Sequence, residues 1–413
     1  MVERRTARDL RRANRETLLR SLYFEGAASR VELAARTGLS PATVSTLAAA
    51  LSDEELVVSA GLVDSDGGRP ATLLEVRSDR AFSIGVDVGE TGIQAELFNL
   101  RLERVQASHR SLPTSGLTPD DVVATVADAV GELRQSAQGH ELLGVGVGVP
   151  GIVDGHSEVV VHAPSLGWRG VPLQAMLTEV VDGPVYLDNG AKTMGRAESW
   201  FGAGRGVADL VVILIGTGVG AALINSGAVY RGSSSSAGEW GHTKIALDGA
   251  SCRCGSRGCM EAYIGAGAIA DRHRRLDPGL PSATSQVAAI DRLAHDAMYN
   301  VPAALAALQE TATYLAAGIA GLANLLNPAK VVVGGFVGLR LGPLLLPLVE
   351  ARLPEYALAP AWERLTLAVS QFGPDAVALG AATLPVERFF NTGGVLPLSK
   401  RLAKQSAVHR VAS

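Results

Sequence analysis

The chain has 413 residues and a mass of 42.7 kDa, which predicts two or three domains rather than one. Apolar residues make up 47% and charged residues 19%, with a net charge of −4, so the composition excludes a disordered or polybasic chain. The sequence contains no run of about 18 uncharged apolar residues, and no apolar core follows its arginine-rich start. We therefore expect a globular cytoplasmic protein without a membrane partner.

The charge is unevenly distributed along the chain. Residues 1–51 carry nine arginines and five acidic residues, a balance of +4, so the remainder carries −8. A basic N-terminal module on an acidic body favours a polyanionic partner for that module. A charge balance of this size also fits an ordinary solvated surface. The choice between these two interpretations therefore depends on the sequence motifs within the module.

The N-terminal module contains two short predicted helices joined by a glycine turn. Residues 29–32, Ser-Arg-Val-Glu, form a capping box that opens a helix ending near Gly38. Ser40 caps a second helix, Pro41 occupies its first position, and apolar residues of 44–51 form one stripe. This pattern is typical of a helix-turn-helix, although a plain helical bundle shares part of it.

Flanking segments complete a winged module. Leu18, Leu19 and Leu22 lie on a preceding helix, and two strands are predicted around 56–62 and 71–76. The loop between the strands ends Gly-Arg-Pro, a narrow tip that can place a guanidinium in the minor groove of DNA. We therefore predict that double-stranded DNA is a partner of this module. The expected DNA-contacting residues are Arg30, Ala42, Thr43, Ser45, Thr46 and Arg69.

The body alternates apolar strands, glycine turns and helices. Residues 84–92 and 210–224 each form a predicted strand, a glycine turn and a second strand, where backbone N–H groups can approach a phosphate. Helical composition dominates 287–326. This alternation favours α/β lobes over a sandwich, and the two similar turns indicate two related lobes facing a cleft.

Three cysteines within eight residues give the most specific chemical prediction. Cys252, Cys254, Cys259 and the upstream His242 supply a Cys3His set for tetrahedral zinc. The alternatives are a redox switch or incidental thiols, but Cys-x-Cys is poorly shaped for a disulfide. Four protein ligands leave no open position, so the metal would be structural.

Two carboxylates flank this cluster. Glu239 precedes His242 by three residues, and Glu261 follows Cys259 by two. A metal would hold both carboxylates around one small volume, suited to hydrogen-bonding a polyol. Surface glutamates are the alternative interpretation.

The same region resembles a known family. Glu-Trp-Gly-His at 239–242, with the cysteine loop ending Cys-Met-Glu at 259–261, resembles the signature of the ROK family (repressors, open reading frames and sugar kinases). The likeness is to its winged-helix transcriptional regulators of the xylose-repressor type and extends to about Glu387. Further similar segments are 149–154, 201–206, 327–328 and 334–335.

The resemblance implies a fold and a division of the chain. The expected class is α/β, with an N-terminal winged helix-turn-helix followed by a two-lobed, actin-like and hexokinase-like (ribonuclease H-like) body. The expected parts are a DNA-binding domain at 1–78, a first lobe at 79–199 completed by 375–390, a second lobe with the zinc loop at 200–374, and a loosely attached tail at 391–413.

The resemblance also implies a ligand set. Zinc would be held by His242 and the three cysteines, and sugar hydroxyls by Glu239, His242 and Glu261. Asn189 matches a sugar-binding asparagine of the family. Ser165 stands where the family usually has asparagine, in a loop that we include in the sugar site.

Two departures from the family kinases argue against phosphoryl transfer. Gly190 stands where those kinases have the aspartate that takes the sugar hydroxyl proton, and glycine cannot accept a proton. Glu90 stands in the first glycine turn, where its charge would repel ATP phosphates. We therefore predict no enzymatic activity and no ATP cofactor.

Three functions remain to be compared. The first is a repressor that binds an inverted-repeat operator as a homodimer or tetramer and responds to a small sugar or sugar phosphate in the cleft. The second is a DNA-binding regulator that has lost its small ligand, which Ser165 and Gly190 favour and the two glutamates oppose. The third is an ATP-dependent sugar kinase, which Gly190 opposes.

Overall fold

The N-terminal unit consists of three helices and a two-stranded antiparallel sheet. We analysed a computed structural model that describes residues 6–63, 70–113, 117–137, 139–155 and 159–397. Ser29 and Glu32 form the expected capping box, and Gly38 ends the second helix with a φ of 68°. The elements are α1 (Ala7–Glu25), α2 (Arg30–Thr37), α3 (Pro41–Asp53), β1 (Val57–Val63) and β2 (Ala71–Val76).

The first lobe is built on a five-stranded mixed sheet. Its strands lie in the order β10-β6-β3-β4-β5, with β3 parallel to β6 and antiparallel to β4. A small three-stranded sheet and two helices complete the lobe. The elements are β3 (Ala81–Val88), β4 (Gly92–Asn99), β5 (Arg104–Ser111), α4 (Pro119–Ser136), β6 (Glu141–Val149), β7 (Ile152–Asp154), β8 (Val160–Ala163), β9 (Trp168–Val171), α5 (Leu173–Val180) and β10 (Val185–Asn189).

The second lobe repeats this topology. Its sheet has the order β13-β12-β11-β14-β15, again an antiparallel three-strand meander extended by two parallel strands. The repeat confirms the expected pair of related α/β lobes. The elements are β11 (Leu210–Ile215), β12 (Val219–Asn225), β13 (Ala228–Val229), α7 (Glu261–Ile264), α8 (Ala266–Leu276), α9 (Gln286–Met298), α10 (Pro302–Leu326), β14 (Lys330–Gly334), α11 (Gly335–Tyr356), α12 (Ala359–Trp362) and β15 (Thr366–Val369).

Two helices lie between the lobes. Helix α13 (Ala376–Asn391) packs on the first-lobe sheet, and α6 (Gly190–Phe201) packs on β11 and β12 of the second lobe. Glycine makes the first contact possible, because a Cβ at Gly85 would lie 1.9 Å from the carbonyl oxygen of Ala378. Within the described residues, none of the helices is long and apolar enough to cross a membrane.

The N-terminal unit shares one apolar core with the first lobe. Buried leucines of α1, including Leu18 and Leu19, belong to the same cluster as Phe98 of β4 and Phe390 of α13. The DNA-binding domain expected at 1–78 is therefore docked on the body, because its first helix buries apolar surface there.

The segment from residue 391, which we expected to be a loose tail, is attached to the body at its start. Helix α13 continues through Asn391, and the carbonyl oxygen of Gly393 accepts a 2.6 Å hydrogen bond from Arg15 Nε. Leu396 packs against the shared core. The chain thus stays attached to α1 as far as this contact, and residues 398–413 lie outside the described part.

Candidate metal centre and ligand cleft

Four side chains converge in the second lobe as a candidate metal centre. One ligand atom from each of His242, Cys252, Cys254 and Cys259 lies within 4.8 Å of all the others. The Cys254 and Cys259 sulfurs are 3.8 Å apart, and Cys252 Sγ is 3.7 Å from His242 Nδ1. The sequence therefore folds these four residues around a single point, where they could hold one metal ion.

The distances fit tetrahedral zinc. Zinc binds sulfur at about 2.3 Å and imidazole nitrogen at about 2.0–2.1 Å, so tetrahedral angles separate such atoms by about 3.6–3.8 Å. The sulfur separation is far longer than the bond of about 2.05 Å in a disulfide. Because His242 Nδ1 lies toward Cys252 Sγ, the Nε2 atom is left for a different partner.

The cysteine loop is held by a close backbone approach and by a lysine. A Cβ at Gly258, whose φ is 72°, would lie 1.7 Å from the carbonyl oxygen of Ala246, so only glycine fits there. Lys244 Nζ lies 3.0 Å from Cys259 Sγ and 2.6 Å from Ser256 Oγ. These two contacts of the Lys244 ammonium tie together the two ends of the segment between Ser256 and Cys259.

Glu261 and Glu239 lie beside this centre. Glu261 Oε2 accepts a 3.0 Å hydrogen bond from the Val219 N–H, and its Oε1 lies 3.5 Å from Cys252 Sγ. Glu239 precedes the 3-10 turn Trp240–His242, and burial raises the pKa of its carboxyl group. The His242 N–H donates to the Glu239 carbonyl at 3.0 Å, and Cys252 Sγ lies close to both His242 and Glu261, so the structure brings these three predicted residues into one neighbourhood.

The residues predicted from the 189–190 segment have other partners. Asn189 Oδ1 accepts hydrogen bonds from the N–H groups of Ala191 and Lys192, and its Nδ2 donates to Gly151 at 2.7 Å. The Asn189 amide thus caps α6 and keeps one N–H for a ligand. Ser165 lies exposed on the 3-10 turn Pro164–Leu166 at the edge of the first lobe.

Asp188 is the carboxylate nearest in sequence to Gly190, and an arginine occupies it. Both Asp188 oxygens bind Arg231 of the second lobe, at 3.0 and 2.5 Å. The Asp188 side chain is fully buried. Both carboxylate oxygens of Asp188 are thus engaged by Arg231, so Asp188 does not replace an absent base at position 190.

Lys192 is a cleft residue that sequence analysis missed. It lies on the first turn of α6, is 2% exposed, and its Nζ donates to the backbone oxygen of Ser235. Burial lowers the pKa of this ammonium, and the charges of Asp188 and Glu239 oppose the shift. The available signal was the run of apolar and small residues around this lysine at the start of α6, because a cation within such a run rarely lies buried without a partner.

Glu90 and Arg253 connect the lobes across the cleft. Arg253 lies between Cys252 and Cys254 of the candidate metal centre and binds Glu90 Oε1 and Oε2 at 2.8 and 2.9 Å. The Arg253 guanidinium also lies beside the second glycine turn, because a Cβ built on Gly218 would be 3.5 Å from Arg253 Nη2. The sequence predicted that the charge of Glu90 would repel ATP phosphates. In the structure the Glu90 carboxylate forms an ion pair between the lobes, beside the first glycine turn.

Asp87, at the end of β3, is expected to make stability depend on pH. Burial raises the pKa of Asp87 to about 7, and the charge of Glu96 acts in the same direction. The folded state therefore favours the protonated carboxyl group, and its stabilising effect is lost as pH rises from about 4 to about 7. We expect Asp87→Asn to raise the melting temperature more at about pH 8 than at about pH 5.

Differential scanning fluorimetry at both pH values tests this expectation. Asp182→Asn, at an exposed position, is the control and should behave like the wild type throughout. An equal shift for Asp87→Asn at both pH values would contradict the assignment.

Five of the six predicted DNA-contacting residues lie in the described part of the N-terminal unit, on α2 and α3. Ala42, Ser45 and Thr46 are exposed on the first turns of α3, and Thr43 is half-buried. Arg30 is exposed at the start of α2. Arg69, the predicted minor-groove residue, lies outside the described residues, between β1 and β2.

Comparison with known proteins places this architecture in a family. Residues 83–388 match the ROK family. The chain belongs to the ROK family. The resemblance drawn from the 239–261 segment is thereby confirmed, and so is the two-lobed α/β class of the body.

Relatives that match nearly the whole chain are repressors. A xylose repressor of Bacillus spizizenii is 29% identical over 386 residues, covering 92% of this chain and 97% of its own. A glucokinase of Halalkalibacterium halodurans is 34% identical, but covers 74% of this chain and 95% of its own. The solved structure of a ROK family transcriptional regulator, a homologue of the E. coli MLC protein, aligns with a TM-score of 0.78 at 26% identity, covering 93% and 98% of the two chains.

Proposed function

We propose that this ROK protein is a transcriptional repressor that binds an inverted-repeat operator and releases it when a small sugar enters the interlobe cleft. The observation that carries the proposal is the juxtaposition of Glu239, His242 and Glu261 in a cleft whose chain also contains a winged N-terminal unit. The xylose repressor of Bacillus spizizenii covers 92% of this chain, whereas the glucokinase relative covers 74%. An inverted repeat requires two modules, so the active form is a homodimer or a tetramer.

The cleft supplies the groups that a polyol needs. Glu239 and Glu261 accept hydrogen bonds from sugar hydroxyls, and the remaining N–H of Asn189 donates one. His242 Nε2 donates or accepts according to its tautomer. Ser165 completes the predicted set at the edge of the first lobe. The carboxylate of Glu239 is half-buried, which lowers the local dielectric constant and strengthens such a hydrogen bond.

Structural zinc is the proposed resident metal. His242, Cys252, Cys254 and Cys259 would hold it, and it would keep the loop carrying Arg253 and Glu261 in shape. With all four positions taken by protein atoms, the ion would fix geometry and leave the ligand chemistry to the two glutamates and His242 Nε2.

DNA binding rests on the outer surface of α2 and α3. Small polar residues at the start of α3 allow close approach of the helix to the major groove, and Arg30 adds a phosphate contact. In the proposed complex, Arg69 at the tip between β1 and β2 reads the adjacent minor groove.

The kinase alternative is opposed by several residues together. Gly190 offers no proton acceptor, Asp188 is held by Arg231, and Glu90 with Arg253 takes the place between the glycine turns. We expect no phosphorylation of glucose by ATP above the rate measured without protein, in a coupled assay that detects ADP.

Fluorescence anisotropy tests the regulatory proposal. The full-length protein is titrated onto labelled DNA from upstream of its own gene at fixed salt, with and without D-xylose, D-glucose and their phosphates. We expect one sugar to raise the operator Kd by about 100-fold, which corresponds to about 2.7 kcal/mol of preference for one state. Glu261→Ala should bind DNA normally and lose the response.

A regulator without a small ligand is the second candidate, and two contacts favour it. The Lys192 ammonium already donates to Ser235, and the Asn189 amide already caps α6. Tight operator binding that every sugar leaves unchanged would support this candidate over the first.

A further inference from the structure

We infer that α6 and α13 together form a lever that transmits movement of the two lobes to the DNA-binding unit, through an aromatic contact with α1. The Glu90–Arg253 ion pair is the lock that holds the lobes closed at the mouth of the cleft. This inference rests on the proposed ligand-responsive function and names the route by which the cleft reaches DNA.

Helix α6 begins in the cleft. Its N-cap is Asn189, and Lys192 on its first turn reaches the 235 loop of the second lobe. The helix has 12 residues, so it spans about 18 Å. Gly195 lets it approach β12 closely, since a Cβ there would lie 2.3 Å from the Ala222 Cβ. In the proposed lever α6 moves with the second lobe, on which it packs beyond the contact of its N-cap with Gly151 of the first lobe.

The far end of α6 contacts α1. The Trp200 ring centroid lies 5.0 Å from that of Phe24, at an interplanar angle of 88°, and 6.2 Å from that of Tyr23. Phe201 lies 6.3 Å from Tyr23. Arg205, just beyond the helix, donates a 2.9 Å hydrogen bond to the Phe24 carbonyl. Edge-to-face packing of this kind is directional, so it resists sliding and rotation.

Helix α13 ends on the same part of α1. Phe390 lies 4.9 Å from Tyr23, and Arg20 of α1 lies over the Phe390 ring at 5.2 Å. Arg15 of α1 binds the Gly393 carbonyl just after this helix and forms a bidentate pair with Glu54, the C-cap of α3. The end of α13 is thus connected through one arginine to the helix proposed to enter the major groove.

Helices α6 and α13 cross with their backbones in close contact. A Cβ at Gly380 of α13 would lie 1.7 Å from the Thr193 carbonyl oxygen of α6. The buried Glu198 carboxylate accepts hydrogen bonds from the N–H groups of Ala203 and Gln371, one on each connection between the lobes. Helix α13 moves with the first lobe and α6 with the second, so lobe rotation turns one helix against the other about this point.

Rotation about that point must change the surface on which α1 rests. Tyr23 touches Phe201 and Trp200 from one helix and Phe390 from the other, so it cannot follow both when they diverge. A packed interface of this kind has discrete arrangements rather than a continuous range. Lobe opening therefore releases or re-seats α1, and with it the α3 surface.

Hydrogen–deuterium exchange on the full-length protein tests the lever without sugar or DNA. Glu90→Lys places two cations together at the lock and should open the cleft. We expect faster exchange in the cleft segment 231–239 and, at the same time, in residues 18–25 of α1. In the Trp200→Ala background the cleft segment should still respond, whereas the response of residues 18–25 should fall by about 5-fold or more.

Three further variants serve as controls for this test. Trp200→Phe, which retains a ring, should restore the response, and Tyr299→Ala, at an exposed position on the second lobe, should leave it intact. Arg205→Ala removes an exposed contact with α1, should fold normally, and should reduce the response in part. A thermal melt of each variant identifies any that is unfolded.

The outcomes separate the lever from the proposed function. An α1 segment that does not respond to Glu90→Lys, or that responds equally with Trp200→Ala, overturns the lever. A wild-type protein whose operator affinity ignores every sugar contradicts the proposed function, and a response of α1 to Glu90→Lys would then still establish the mechanical connection.

Discussion

Cys254→Ser is expected to release the metal and disorder the 249–259 loop. The variant leaves three ligands, and serine oxygen is a poor replacement for thiolate on zinc. Structural zinc contributes directly to folding, so we expect the melting temperature to fall by about 10 °C. Zinc measured by plasma mass spectrometry should fall from about one ion per chain to background. The loop also positions Arg253 and Glu261, so any response to sugar should disappear.

Glu261→Ala separates metal binding from ligand binding. Its carboxylate accepts a hydrogen bond from Val219 and is not one of the four converging side chains. The variant should keep its zinc and lose the sugar response. A Cys254→Ser protein that retains one zinc per chain would contradict the assignment of Cys254 as a metal ligand.

Gly380→Ala is expected to have the largest effect of a single methyl group. The new Cβ would lie 1.7 Å from the Thr193 carbonyl oxygen and 2.3 Å from its carbon, both backbone atoms. Side-chain rotation cannot relieve such an overlap, so α6 and α13 must separate by more than about 1 Å and lose core contacts. We expect a loss of about 3 kcal/mol or more in the free energy of unfolding, measured by urea titration.

Gly131→Ala is the matched control. It makes the same substitution inside helix α4, where a Cβ would have no neighbour within 4 Å. Alanine is the better helix former, so this variant should gain about 0.5–1 kcal/mol. Similar stabilities for the two variants would mean that the crossing of α6 and α13 can loosen without cost, which would also remove the pivot of the proposed lever.

Local chemistry explains why the N-terminal unit was predictable. The Ser29 capping box, the turn at Gly38 and the Ser40 N-cap all operate within four or five residues, and the structure has each of them. The predicted wing strands at 56–62 and 71–76 differ from β1 and β2 by one residue at each end of the first strand. Short-range hydrogen bonds need no tertiary context to form.

The cleft shows where sequence reasoning stopped. Cysteine spacing placed four ligands around one point because they lie within 18 residues of one another. The ion pairs Asp188–Arg231 and Glu90–Arg253 join residues that are 43 and 163 positions apart. Charge alone does not identify partners at such separations, because each arginine had many acidic candidates along the chain.

The burial of Lys192 and the attachment of the expected tail were not predicted, for a related reason. A lysine is normally solvated, and only the closure of the 235 loop over α6 buries this one. Residues after Asn391 lack periodicity, so the sequence predicted a loose segment. Arg15 of α1 nevertheless binds the backbone there.

Residue type and spacing were enough to predict the caps of α2 and α3, the two glycine turns, the four residues of the candidate metal centre and the absence of a carboxylate at position 190. These follow from residue type and short spacing, where covalent geometry limits the options. Only the tertiary structure decided that α6 and α13 both end on Tyr23 of α1, that Glu90 binds Arg253 across the cleft, and that the N-terminal unit shares a core with the first lobe. Such contacts depend on how the lobes pack, and long-range burial sets that packing where local preference cannot.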